Sequence, residues 1–179
     1  IFNFNVVNAT PLVNKDWLKH KICNDNIKVL EVHRSKKDYE LAHIPCSIFT
    51  NFYLDGWRET RKKMPLLMPS KSTLEALIGS LGISNSDYVI IVAPGLGKYD
   101  MSEAASIYFT FKYLGHKNIS ILNGGLKSWK EDWDNDIETG YSVPQENAYK
   151  SEINNNIIAN KEDILEVISK KGYLIDARS

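Results

Sequence analysis

The stretch of this 179-residue chain best placed to do chemistry is Pro94-Gly-Leu-Gly-Lys98. It is a glycine-bearing turn between a short apolar run, Tyr88-Val-Ile-Ile-Val-Ala93, and an apolar-periodic segment, Ser102 to Leu114. A turn from strand to helix aims its backbone N–H groups at whatever binds there. Other candidates are sparse. The two cysteines, Cys23 and Cys46, show no Cys-x-x-Cys spacing, and no His-x-x-x-His occurs, so no metal site is expected. Two cysteines cannot build a disulfide scaffold, and a chain of this size does not require one. His20, His33, His43 and His116 are isolated from one another, which suits surface or hydrogen-bonded structural roles.

The elements around the loop can be read from periodicity. A second apolar run, Ile119-Ser-Ile-Leu122, ends at Asn123-Gly-Gly125, and a helical pattern restarts at Leu126 to Trp129. The order strand, loop, helix, strand, helix places two parallel strands side by side. Upstream, Asn14 can cap a helix whose apolar face is Trp17, Leu18 and Ile22, and Ile27–Val32 has a strand pattern. Ser35 to Leu41 is charged and suits a helical turn. Ala42-His-Ile-Pro-Cys46 then turns into the extended piece Ser47–Thr50, with Pro45 forcing the preceding residues toward extended geometry. Asn51 to Leu67 reads as a long surface loop. Ser70 caps a helix with Leu74, Leu77, Ile78 and Leu81 on one side, and Gly82 stops it.

Composition narrows the function classes. The chain is 43% hydrophobic and 25% charged, as expected of a globular domain, and 22 basic residues balance 22 acidic ones. Zero net charge argues against a nucleic-acid or membrane-surface binder working through bulk charge. No apolar run approaches the roughly 20 residues of a membrane helix. Ile1 to Thr10 lack the basic end and apolar block of a signal peptide, although a processed leader is compatible with a start other than Met.

Beyond Trp129 the pattern weakens. Thr139 to Asn156 has no period and reads as a linker, after which Asn160 caps a helix over Lys161–Ile168 and Tyr173–Ala177 has a strand pattern. One helix and one strand cannot bury a core. The expectation is one whole domain over 1–140, a linker over 141–156, and the opening of a second domain over 157–179. The restart is also a short internal repeat: a helix then Val29-Leu-Glu31-Val32 compares with a helix then Leu174-Ile-Asp176-Ala177.

Several pieces, in order along nearly the whole chain, resemble the tandem-rhodanese family of thiosulfate and 3-mercaptopyruvate sulfurtransferases. They are Leu12–Leu18, Val29-Leu-Glu31, Tyr39-Glu-Leu-Ala-His-Ile-Pro45, Met68-Pro-Ser70, Leu81-Gly-Ile-Ser84, Leu114-Gly-His116, Leu122-Asn-Gly-Gly125 with Trp129, and Leu174-Ile-Asp-Ala-Arg178. The resemblance implies an α/β rhodanese-like domain, with a central, mostly parallel sheet flanked by helices on both faces.

It also implies sulfur transfer from thiosulfate or 3-mercaptopyruvate to cyanide or a thiol, through a cysteine persulfide in the loop after the strand matching Val89–Val92. Backbone N–H groups around one sulfur near a helix N-terminus favour the thiolate. Here Ala93-Pro-Gly-Leu-Gly-Lys98 has no Cys, Ser or Asp at its head, and Pro94 removes a donor. The segment therefore resembles the family's inactive first repeat, with no catalytic residue of its own, its persulfide cysteine expected past Ser179, and its role to cover and shape the site of the second domain. Cys46 is expected as a small buried residue, Cys23 as a structural residue at a helix end, and His43 as a residue that holds its turn. Asp100 and Glu103 are expected to cap the following helix. Arg178 is the expected substrate-binding residue, presenting its guanidinium fork to an anionic substrate, with Asp176 steadying that strand end.

The implied partners are a small-molecule sulfur donor, a thiol or cyanide acceptor and the second rhodanese domain, with no organic cofactor, nucleic acid or membrane. A few reduced thiols suit the cytoplasm, with the mitochondrial matrix as the alternative. The runner-up is a rhodanese-like regulatory or protein-binding module without chemistry. A phosphatase-like relative is a third reading, disfavoured by the missing loop cysteine and arginine.

Overall fold

A computed structural model describes residues 9–97, 99–132 and 134–176. The elements run β1 (Leu12–Val13), α1 (Lys15–Lys19), β2 (Ile27–Val32), α2 (Lys36–Leu41), β3 (Ile48–Thr50), β4 (Glu59–Arg61), β5 (Met64–Leu67), α3 (Lys71–Ser80), β6 (Tyr88–Val92), α4 (Asp100–Tyr113), β7 (Ile119–Leu122), α5 (Gly125–Lys130), a 3-10 turn (Asn155–Ile157) and α6 (Lys161–Ser169). Five strands form one parallel sheet in the order β1-β7-β6-β2-β3.

The alternation of β6 shows why the sheet is covered twice. Val89 and Ile91 belong to one apolar cluster, with Leu74 and Ile78 of α3 and Ala104, Ile107 and Phe111 of α4. Ile90 and Val92 belong to the other, with Leu18 of α1 and Leu126 and Trp129 of α5. Successive side chains of a strand point to opposite faces, so a strand apolar throughout must be buried on both. This is the expected α/β fold with helices on both faces of a parallel sheet.

The expected caps are in place. Asn14 Oδ1 accepts Trp17 N–H at 2.8 Å, and Ser70 Oγ accepts Thr73 N–H at 3.2 Å. Asn160 and Asp163 complete a reciprocal capping box at the start of α6.

Three readings are corrected. Asn51–Leu67 is not simply a loop, because β4 and β5 pair as an antiparallel hairpin and Phe52 and Trp57 are buried. Its turn is Lys62-Lys63, both at positive φ, without the Gly or Asn that normally advertises such a turn. The strand pattern at Tyr173–Ala177 is not realised among its described residues, 173–176. Tyr173 and Ile175 are exposed, and a strand needs a neighbour to bond to. The cysteines are neither buried nor independent: both are exposed and joined as a disulfide, with Cα atoms 5.2 Å apart. Their turns are distant in sequence and meet only once the chain is folded, so spacing alone could not reveal the pair.

The stretch expected as a linker carries no regular element before the 3-10 turn, yet part of it is strapped to the domain. Asn147 N–H bonds Gly79 O at 2.9 Å, Glu152 N–H bonds Leu114 O at 3.2 Å and Asn154 N–H bonds Tyr113 O at 2.8 Å. Within it, Tyr149 and Ser151 are buried against the domain. Glu75 accepts both the N–H and the hydroxyl of Ser151, at 2.6 and 3.0 Å, and these bonds with nearby Lys71 hold its carboxyl below the usual range.

Candidate functional site

The loops that follow β2, β3 and β6 all leave the same edge of the sheet, the carboxyl end of its parallel strands. Ligands of open α/β sheets bind in the crevice outside that edge. The central loop, Ala93–Gly97, is fastened from below by α5: Leu126 N–H donates to Ala93 O at 2.8 Å and Lys127 N–H to Pro94 O at 3.1 Å. Glycine is required at this contact. Gly125 has φ +61°, and a Cβ there would run into the Ala93 carbonyl, while a Cβ on Gly95 would lie 2.7 Å from Gly124 O. The Leu-Asn-Gly-Gly sequence therefore lets two backbones approach closely.

Inside the loop, Asp100 Oδ2 accepts the N–H groups of Leu96 and Gly97, at 2.9 and 2.8 Å. These two amides, which could otherwise turn toward an external anion, already hold a carboxylate from the first turn of α4. The expected helix-capping role of Asp100 is corrected: its carboxylate holds the loop ahead of α4 instead of an amide of the helix. Glu103, one turn further on, does something different. Its buried carboxylate accepts from Arg34 Nε and Nη2, at 3.0 and 2.5 Å. Arg34 follows β2, and its own carbonyl accepts Asn51 Nδ2 at 2.8 Å, which ties the β2 and β3 loops together. The guanidinium also stacks 5.8 Å from the Tyr53 ring. Partial desolvation, followed by the bond to Glu103, raises the Tyr53 phenol.

The same loops and the start of α4 carry exposed apolar side chains: Tyr53, Leu54, Leu96, Tyr99 and Met101. Leu54 and Leu96 are more than 80% exposed, at 81% and 83%. An apolar rim of this kind around a charged centre is the make-up of a docking surface.

The residues expected to serve the site are distributed differently. Arg178 lies outside the described residues. Asp176 is exposed, beyond α6, and belongs to none of the loops above. His43 is buried and holds its turn as expected: its ring stacks on Tyr39 at 4.0 Å, and Nδ1 bonds Tyr39 O at 2.8 Å. Burial pushes the Tyr39 phenol up to about 12. Cys23 and Cys46 carry no free thiol. No cluster of potential metal ligands occurs among the described residues.

Two features escaped the residue patterns. The buried Glu31 carboxylate accepts Ile44 N–H at 2.6 Å through Oε1 and bonds the His33 ring at 2.8 Å through Oε2. Its sequence signal was the internal repeat, in which Glu31 occupies the position of Asp176. Arg34 had no signal beyond its place after a strand.

The chemistry open to this edge is limited. It offers a held loop, an ion pair between half-exposed Arg34 and buried Glu103, and an apolar rim, with no nucleophile within Ala93–Gly97 and with the Leu96 and Gly97 amides already occupied.

The family profile described as Rhodanese-like domain matches residues 14–132. Thiosulfate sulfurtransferase of Rattus norvegicus is 26% identical over 94% of this chain, which spans 59% of that protein. The sulfur carrier protein TtuD of Thermus thermophilus is 31% identical over 94% of the chain and 58% of its own length. The chain thus spans about three-fifths of each of these two relatives, and less than half of the Arabidopsis thaliana thiosulfate/3-mercaptopyruvate sulfurtransferase 2, at 44%. In fold, it resembles the crystal structure of the Escherichia coli 3-mercaptopyruvate sulfotransferase SseA, with a TM-score of 0.74 and 20% identity over 91% of this chain and 64% of that one. With a family match over most of the sheet and its helices, the chain belongs to the rhodanese-like domain family.

Proposed function

We propose that this chain is the non-catalytic rhodanese-like domain, with the opening of a catalytic one, of a two-domain sulfurtransferase. The whole protein would take sulfane sulfur from thiosulfate or 3-mercaptopyruvate. A cysteine thiolate in the second domain would carry it as a persulfide and pass it to cyanide or a thiol. The sulfurtransferase names among the relatives support the activity class. The division of labour rests on one observation: the loop amides of Leu96 and Gly97 are taken by Asp100, in a loop without a nucleophile.

In this reading the apolar rim at Tyr53, Leu54 and Leu96 faces the second domain, and the domain boundaries are 1–140, 141–156 and 157–179. Arg178 would meet the anionic donor. The internal repeat suggests that Asp176, once its strand is paired, accepts a backbone N–H as Glu31 does from Ile44. The exposed rim equally suits the second reading, a rhodanese-like module that binds another protein without chemistry. The cytoplasmic setting rested on reduced thiols, and the Cys23–Cys46 bond removes that support.

The deciding experiment compares residues 1–179 with the longer protein in a thiosulfate-to-cyanide assay and a 3-mercaptopyruvate-to-thiol assay. The segment should be inert and the longer protein active. Turnover by the segment that survives truncation at Asn156 would refute the division of labour, and an inactive longer protein would favour the binding module.

A further inference from the structure

We propose that Cys23 and Cys46 form a thiol–disulfide exchange site, addressed by a dithiol reductant, that latches the turn Ala42–Ser47 to the end of α1. The site lies apart from the loop edge described above and does not depend on sulfur transfer.

Three observations carry it. Both cysteines are exposed residues, as attack on their disulfide by a thiolate without unfolding the domain requires. Both sit at positive φ, 59° for Cys23 and 60° for Cys46, a backbone region that L residues occupy at a cost. The cross-link therefore holds two turns in conformations they would otherwise tend to leave. Third, the latched turn is a junction. Ile44 N–H donates to the buried Glu31 at 2.6 Å, Tyr39 Oη donates to Ser47 O at 2.7 Å, and Cys46 N–H donates to Glu138 Oε2 at 2.9 Å. His43 and Glu138 also pair as an antiparallel bridge. One covalent bond at the surface thus braces the ends of β2 and α2 and the segment around Glu138.

The exchange balances as a two-electron reduction. One thiolate of the dithiol attacks an exposed cysteine sulfur, and the S–S bond breaks. The other cysteine leaves as a thiolate and takes up a proton. The second thiol of the reductant then displaces the remaining cysteine from the mixed disulfide. The products are two cysteine thiols and the oxidised, cyclised reductant.

The test uses the full-length protein under native conditions, with dithiothreitol as the dithiol. Peptide mapping after thiol alkylation reports the state of Cys23 and Cys46, and hydrogen exchange is followed at residues 42–47 and 88–92. The expected result is reduction of the pair while the domain stays folded. Exchange at 42–47 should rise about tenfold or more, with β6 unchanged, and reoxidation should reverse the change. The Cys23→Ser, Cys46→Ser double variant should show the reduced pattern and no response to dithiol. A bond that opens only on global unfolding, exchange at 42–47 that ignores reduction, or a double variant that fails to fold would each overturn the proposal.

Discussion

The buried carboxylate of Glu31 accepts the backbone N–H of Ile44 at 2.6 Å, and its other oxygen bonds the His33 ring. Glu31 has no exposed surface, so neither oxygen can turn to water if its partner is lost. The pair sets the distance between the end of β2 and the turn that leads into β3. Replacing Glu31 by Ala leaves a buried amide and a buried imidazole without their acceptor, and we expect a loss of about 2–4 kcal/mol in urea unfolding. Glu31→Gln keeps one carbonyl oxygen and should lose less. Equal losses for the two variants would mean that the hydrogen bonds contribute little beyond the volume of the side chain.

A pH dependence should follow from His116. Its ring is buried, Nε2 donates to Asp87 O at 3.0 Å, and Nδ1 accepts the Tyr149 hydroxyl at 3.2 Å. Burial lowers its pKa from the ordinary 6.5, against the smaller opposing effect of its carbonyl neighbours. A depressed histidine pKa means that the unfolded chain binds the proton first. The stability contribution is therefore complete above pH 6.5 and falls as pH drops through that value toward the folded pKa. Urea midpoints of the native protein should decline between pH 7 and pH 5 more steeply than those of His116→Gln. Parallel profiles would remove His116 as the cause.

How much of this was legible in the sequence divides along physical lines. The strand at Tyr88–Val92, its loop, α4 and β7 follow from apolar periodicity, and Asn14, Ser70 and Asn160 announce their helices because capping is local chemistry. The hairpin β4–β5 was hidden because its Lys62-Lys63 turn lacks the residue types that usually allow positive φ. The Cys23–Cys46 bond, between two turns, and the pair of Arg34 after β2 with Glu103 on α4 were hidden because each joins segments that meet only after the sheet has formed. The loop's lack of a nucleophile could be read directly. That Asp100 occupies its amides could not, since a carboxylate three or four residues downstream can equally cap its own helix.

Arg58 pins the segment before β4 to α4 with neutral partners. Its guanidinium donates to Trp57 O at 2.5 Å, Thr110 Oγ1 at 2.9 Å and Ser106 O at 2.9 Å, and it lies 5.3 Å from the Phe52 ring. Partial burial lowers its pKa, yet no described carboxylate pairs with it. The fork geometry matters more than the charge, because three acceptors are reached from one plane. Arg58→Lys should therefore destabilise nearly as much as Arg58→Met, each by about 1–3 kcal/mol in denaturant unfolding. Full retention of stability by the lysine variant would show that charge alone suffices.

The last expectation concerns the loop that follows β6, on which the proposed division of labour rests. Asp100 Oδ2 is the acceptor for both Leu96 and Gly97 amides, so Asp100→Ala strips two hydrogen bonds from an exposed turn. Water can replace the carboxylate there, which limits the cost to about 1 kcal/mol, or roughly a fivefold faster amide exchange at 96 and 97. The loop should otherwise keep its path, because α5 holds it through Leu126 N–H to Ala93 O and Lys127 N–H to Pro94 O. Vacating the amides supplies no nucleophile, so the segment should stay inert toward thiosulfate. If Asp100→Ala instead leaves exchange at 96 and 97 unchanged, the carboxylate is not what occupies those donors, and the reading of the loop as closed to an external anion fails with it.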